Sequence, residues 1–261
     1  MDQLANKTAI VTGGAKGLGA AVAALFIKEG AWVVITDVDS AAGEAVAEQL
    51  GERAVFRRHD VSVESEWQSI VAATVADFGK LDILVNNAGV IEIGNIETQT
   101  AAQWRLVNAV IADGTFFGCK HAIAAMKQSG GGCIVNVASI ASLQGEPYVA
   151  AYCAAKGAVE SLTRSIAVHC AQMRYNIRCN SIHPAKIATP LTAGIPKKFK
   201  SAVQNGMRLP EQLGSVDSYT MQPEEVAPAV LYLSSDASKY VNGARLVIDN
   251  TMSITTGLVP A

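Results

Sequence analysis

Charge is sparse in this sequence and aromatic residues are sparser. Of the 261 residues 17% are charged and 6% aromatic, and the formal net charge is -2. That near balance excludes long-range attraction to nucleic acid or an anionic membrane. Cysteine is scarce too: Cys119, Cys133, Cys153, Cys170 and Cys179, an odd number with no Cys-x-x-Cys spacing. A disulfide framework and a zinc site are therefore not expected, no metal is assigned, and reduced thiols in a cytoplasmic protein fit better. No unbroken apolar run is long enough for a membrane span. The start, MDQLANKTAIVTGG, lacks a basic segment ahead of a long apolar run, so no signal peptide is expected. Internal repeats, low-complexity tracts and domain linkers are missing as well.

Apolar residues are plentiful, at 50% of the chain. The length suits one α/β domain over 1–261. Short β-branched runs read as strands at Thr8–Thr12, Trp32–Asp37, Ala54–His59, Ile83–Asn86, Ile134–Ala138, Ile177–Ile182 and Leu246–Asp249. Helices are predicted near 17–29, 41–50, 64–78, 101–128, 150–172 and 223–235. Thr100-Ala-Ala-Gln103 reads as a capping box. Pro223 followed by two glutamates reads as a helix start. Apolar strands alternating with helices predict a doubly wound parallel sheet, with ligands outside the carboxyl ends of the strands. The one long irregular stretch, 184–222, holds four prolines and is read as a substrate lid, with Lys197, Lys198 and Lys200 on its solvated surface.

Gly13-x-x-x-Gly17-Leu18-Gly19 follows the first strand and opens a helix. Glycines there permit a tight turn, and the helix N-terminus offers free N–H groups to a pyrophosphate. Asp37 ends the second strand, where a carboxylate can accept from both ribose hydroxyls of NAD and repel the 2′-phosphate of NADP. Lys16 argues the other way, as a cation within reach of such a phosphate. Asp37 is expected to dominate, with Asp39 adding negative charge nearby.

Tyr152 and Lys156 stand four residues apart on a predicted helix, hence on one face. Ser139 lies just past the fifth strand. Oxidising an alcohol requires a base, and a tyrosine with pKa near 10 is too weakly ionised at neutral pH. Lowering it to about 7 takes roughly 4 kcal/mol. A cation about 4 Å away supplies that much at an effective dielectric of 20. Lys156 is one candidate cation and an oxidised nicotinamide is another. Ser139 is placed to hydrogen-bond the substrate oxygen.

Thr12-Gly13-x-x-x-Gly17-x-Gly19, Asn86-Asn87-Ala88-Gly89, Ser139 and Tyr152-x-x-x-Lys156 together resemble the ordered motifs of the short-chain dehydrogenase/reductase family. The resemblance covers essentially the whole chain. It implies that Asp60 and Val61 flank the adenine and that Asn86 and Ala88 line the adenosine side. It makes Asn108 the fourth member of a catalytic tetrad, at a position that disturbs its helix and holds a water leading from the lysine to solvent. It assigns Ile187 and Thr189, in Pro184-Ala-Lys-Ile-Ala-Thr-Pro190, to the nicotinamide carboxamide, with Ala185 where the family usually has glycine. It further implies a homotetramer, which the small residues Ala154, Gly157, Ala158 and Ser161 would serve.

Stretches such as Arg58-His-Asp-Val-Ser62 and Asn180-Ser-Ile-His-Pro184 are similar to bacterial 3β/17β-hydroxysteroid dehydrogenases within that family. Ile91, Ile93, Leu143, Gln144, Tyr148, Leu191 and Met207 are expected to line the substrate pocket. This mainly apolar set suits a hydroxysteroid or another hydrophobic cyclic alcohol, such as a terpene alcohol. An NADPH-dependent ketone reductase is the alternative. A nucleotide sensor without chemistry is a rival from another class, but the tyrosine and lysine are both retained. His59, His121, His169 and His183 are read as structural.

Overall fold

In the computed structural model, which describes residues 2–208 and 220–254, the strands are short and apolar and all run parallel. They are β1 (Thr8–Thr12), β2 (Trp32–Asp37), β3 (Ala54–Arg58), β4 (Ile83–Asn86), β5 (Gly132–Val137), β6 (Ile177–Pro184) and β7 (Arg245–Ile248). They form one seven-stranded sheet in the order β3-β2-β1-β4-β5-β6-β7. The helices among the described residues are α1 (Gly17–Lys28), α2 (Ser40–Leu50), α3 (Glu64–Phe78), α4 (Ala101–Asn108), α5 (Gly114–Met126), α6 (Ala150–Gln172), α7 (Pro190–Ala193), α8 (Ile195–Gln204) and α9 (Pro223–Ser234).

Side chains alternate across a strand, so a sheet covered on both sides must be apolar at every position. Val11, Val33, Ile35 and Val85 pack beneath Leu18, Val22 and Phe26 of α1 and Val226 and Val230 of α9. Their neighbours Ile10, Val34 and Leu84 face the opposite layer, with Trp67 and Ile70 of α3 and Ala122 and Met126 of α5. Phe26 is fully buried, and its truncation to alanine would cost about 3–5 kcal/mol.

From β1 the chain builds outward to β3, then returns to β4 on the other side of β1 and builds outward to β7. The carboxyl ends of β1 and β4 therefore part around a crevice, and the ligand site of such a sheet lies there.

The segment 101–128, expected as one helix, is three pieces. A wide turn with π-helical bonding, Ala109–Asp113, separates α4 from α5. It begins directly after Asn108, whose Nδ2 donates to the Trp104 carbonyl at 2.8 Å. The i−5 bond of that turn runs from Gly114 N–H to the Ala109 carbonyl. The capping box of Thr100 with Gln103 is formed, and Pro223 opens α9. Within the proposed lid, α7 and α8 are short helices; residues 209–219 of that stretch lie outside the described residues.

Candidate active site

The crevice encloses about 330 Å³, within the usual range for a small-molecule site. One half is built by the turn after β1. Gly13 and Gly17 have φ of +62° and +55°, which side chains other than glycine rarely adopt. A Cβ on Gly13 would stand 2.9 Å from the Ala88 backbone, and one on Gly17 would stand 2.9 Å from Thr189 Cγ2. Side chains here would thus fill the cradle. The N-cap of α1, Lys16, makes no capping bond through its side chain, and the first turn carries no acid. Its N–H groups are left for an anion. This half fits a dinucleotide pyrophosphate.

Asp37 lines the same crevice at the end of β2. Its Oδ2 accepts from Ala15 N–H at 3.2 Å and its Oδ1 from Asp39 N–H at 3.1 Å, which aims the carboxylate. Lys16 forms an ion pair with Asp39 instead of standing free.

The other half carries Ser139, Tyr152 and Lys156 together. Ser139 ends the extended segment after β5, and its Oγ accepts from Ala141 N–H at 3.2 Å. Tyr152 sits in the first turn of α6, and Lys156 lies one turn on. Lys156 Nζ donates to the Val137 carbonyl at 2.5 Å and lies 5.6 Å from the centre of the Tyr152 ring. Burial pushes the Tyr152 phenol up to about 12, against a hydrogen bond with Ser139 that pulls it down. Burial pushes the Lys156 ammonium down to about 8. Both shifts disfavour the charged forms, so added positive charge is what this pocket needs to ionise the tyrosine.

Comparison with known proteins agrees with this geometry. The family model described as enoyl-(acyl carrier protein) reductase matches residues 13–253. The 3-beta-hydroxysteroid dehydrogenase of Comamonas testosteroni is 40% identical over 252 residues, 96% of this chain and 97% of the relative. The chain belongs to the short-chain dehydrogenase/reductase family. The NADP-dependent (R)-specific alcohol dehydrogenase of Lentilactobacillus kefiri is 38% identical, over 95% of this chain and 97% of its own. The crystal structure of levodione reductase superposes with a TM-score of 0.85 at 32% identity, over 96% and 98% of the two chains. This short-chain dehydrogenase/reductase is accordingly an oxidoreductase of a nicotinamide-using family.

Of the residues singled out in the sequence, Gly13, Lys16, Gly17, Leu18, Asp37 and Ala88 line the crevice on one side, and Ser139, Tyr152, Lys156, Ile187, Thr189 and Leu191 on the other. Others do not line it. Gly19 packs behind the turn, where a Cβ would meet the Gly13 carbonyl at 2.3 Å. Asp60 bonds the backbone and hydroxyl of Ser62, and Val61 is buried with its carbonyl held by Trp67. Asn86 points into the core, donating to Asn136 Oδ1 at 2.8 Å. Asn108 is occupied with Trp104. Ile91, Ile93 and Met207 are buried, and Leu143, Gln144 and Tyr148 are half-buried outside the crevice lining.

Val137, Ala138 and Thr192, missed in the sequence, also line the crevice, and further residues line or flank it. Asn87 lines the crevice and donates from Nδ2 to the Thr12 and Gly13 carbonyls at 2.9 and 3.1 Å, holding the glycine turn. Its place in Asn86-Asn87-Ala88-Gly89 was a usable signal. Phe199 of α8 meets the Tyr148 ring edge-on at 5.2 Å between centroids. Lys198, a partly exposed lid lysine, is also anchored: it donates to the Ile91 carbonyl at 2.6 Å and pairs with Glu92. No signal in the sequence distinguished it from Lys197 and Lys200.

Proposed function

We propose that this protein interconverts a hydrophobic cyclic secondary alcohol, of hydroxysteroid type, and its ketone with NAD. The observation that carries the reading is one crevice holding Asp37 at one end and Ser139, Tyr152 and Lys156 at the other. Ser139 Oγ accepts from Ala141 N–H, so the hydroxyl proton that it points at Tyr152 is the one it offers to a substrate oxygen in the crevice. Tyr152 takes the alcohol proton in oxidation and returns it to the carbonyl oxygen in reduction. Bringing a phenol from about 12 to about 7 takes roughly 7 kcal/mol. One cation about 4 Å away supplies roughly 4 kcal/mol at an effective dielectric of 20, so Lys156 needs help. Bound NAD supplies the hydride acceptor and, in its oxidised form, a second positive charge. Asn108 is assigned as fourth member through the π-helical turn that it starts.

Preference for NAD rests on Asp37 at the ribose corner and on Lys16 being engaged by Asp39. Ala88 on the crevice wall is assigned to the adenosine side, and Ile187 and Thr189 on the same wall to the nicotinamide; Asp60, Val61 and Asn86 join the adenosine side by family resemblance alone. Val137, Ile187 and Leu191 on the crevice wall and the hydroxysteroid-active relative support the bulky alicyclic substrate, while Ile91, Ile93, Leu143, Gln144, Tyr148 and Met207 stand outside that lining. A panel of hydroxysteroids, monocyclic terpene alcohols, small alkanols and polyols, compared by kcat/KM with NAD and NADP, tests this. Preference for polyols would overturn the hydrophobic pocket, and preference for terpene alcohols the steroid assignment alone.

We assign a homotetramer as the working assembly. Trp104, Leu106 and Phe116 on α4 and α5 and Val168 on α6 are 46–56% exposed, and the small residues Ala154, Ala158 and Ser161 are exposed too. Such apolar surface favours cover by another copy. Light scattering showing a stable monomer at micromolar concentration would reject it. Five free thiols, four of them buried, support a cytoplasmic setting. Among the described residues, no helix is long and apolar enough to cross a membrane.

A further inference from the structure

His183 lies near the end of β6, against the turn that carries Ser139, and is completely buried. Its Nδ1 is 2.9 Å from Ser142 Oγ and 3.2 Å from the Ser139 carbonyl oxygen. Its Nε2 is 2.8 Å from Ser181 Oγ. Ser142 Oγ also donates to the Ser139 carbonyl at 2.6 Å. The shorter of these contacts favour one tautomer. A carbonyl oxygen has no proton to give, so the Ser142 proton goes to Ser139. Ser142 Oγ then only accepts from His183, and Nδ1 carries the hydrogen. Nε2 then accepts from the Ser181 hydroxyl at 2.8 Å in preference to the Ala244 carbonyl, which lies 3.4 Å from the same Oγ. Burial holds the ring at a pKa of about 4, so it is neutral near pH 7. The charges facing it are Glu160 and Lys156 of α6 and Arg245 of β7; Arg164 and Arg245 both pair with Glu160.

We propose that His183 is a positioning residue for Ser139. Its Nδ1–H, shared by Ser142 Oγ and the Ser139 carbonyl, clasps the turn to β6 and aims the Ser139 hydroxyl at the reacting oxygen. This rests on the reading of Ser139 as catalytic. The need for a clasp is physical. The turn Ile140–Ser142 is a single 3₁₀ turn, a form with poor hydrogen-bond geometry of its own. A misplacement of about 1 Å in a catalytic group costs on the order of 10²-fold in rate. Ser181 and His183, two apart on a strand, share one face, so the ring is braced from both ends.

The test is a cycle of Ser139→Ala, His183→Leu and the double variant, with His183→Asn beside them, followed by kcat, KM for NAD and Tm. Asparagine keeps an N–H donor near the Nδ1 position; leucine removes it. His183→Leu is expected to lower kcat about 10- to 100-fold with KM for NAD within about twofold. His183→Asn should restore most of that rate. In the Ser139→Ala background, His183→Leu should cost no further rate, because the group it aims is gone. Rate losses that multiply in the double variant, or an unchanged kcat in His183→Leu, overturn the proposal. An unchanged kcat in Ser139→Ala overturns the catalytic reading itself. If His183→Leu does not fold, Ser142→Ala opens the same clasp from the other side, and the same non-additivity with Ser139→Ala decides.

Discussion

Lys156 Nζ stands 5.6 Å from the centre of the Tyr152 ring, one turn along α6, and its hydrogen bond to the Val137 carbonyl at 2.5 Å fixes it there. A buried ammonium so placed stabilises the tyrosinate more than the phenol. Tyr152→Phe should keep NAD binding and lose at least about 10²-fold in kcat. Lys156→Met should raise the tyrosine pKa, so the acidic limb of the pH profile for alcohol oxidation moves to higher pH. An unmoved limb would show that Lys156 does not tune Tyr152.

Asp37 is aimed by two backbone N–H groups, while Lys16 is held by Asp39. Asp37→Ser should raise the ratio of kcat/KM for NADP over NAD by about tenfold or more, which corresponds to removing about 1.4 kcal/mol of repulsion. Wild-type protein that turns over better with NADP would contradict the NAD assignment.

Gly19 has no room for a side chain. Its Cβ would lie 2.3 Å from the Gly13 carbonyl and 2.7 Å from Asn87 Nδ2. Gly19→Ala should therefore displace the glycine turn, destabilise the fold by about 1–3 kcal/mol and weaken NAD binding. Thermal unfolding with and without NAD checks both effects, and an unchanged NAD-induced rise in Tm would refute the second.

Two histidines, His59 and His183, are buried, and burial lowers each to about 4 from an ordinary 6.5. The unfolded chain binds protons at these sites between those values and the folded chain does not. Stability should therefore fall as pH drops from about 6.5 to about 4, by up to about 1.4 kcal/mol per pH unit for each ring. His59 has an unpartnered buried Nε2 and stacks edge-on against Trp67, 4.5 Å between centroids. Tm measured across that window in wild type and His59→Gln should show a shallower acid slope in the variant. Equal slopes would remove His59 from the acid response.

Much of the fold was legible along the chain. Strands β1, β2 and β4 fall where the β-branched runs placed them, because a parallel sheet buried on both faces demands unbroken apolar runs. Thr100 with Gln103 and Pro223 marked helix starts, because capping is a matter of residues three apart. Ser139, Tyr152, Lys156 and Asp37 stood out because few side chains offer their chemistry at the ends of strands and on one helix face.

The sequence by itself thus determined the order of elements and the types of group available at the crevice, since both depend on near neighbours. Tertiary structure alone decided which partner each polar group takes. Lys198 reaches Glu92 across 106 residues, Asn87 holds the turn at Gly13 across 74, and His183 meets Ser139 across 44. A hydrogen-bonding side chain is satisfied by any suitable partner that packing brings within about 3 Å. Its identity in the sequence states what it can bind, and only the folded chain selects the partner.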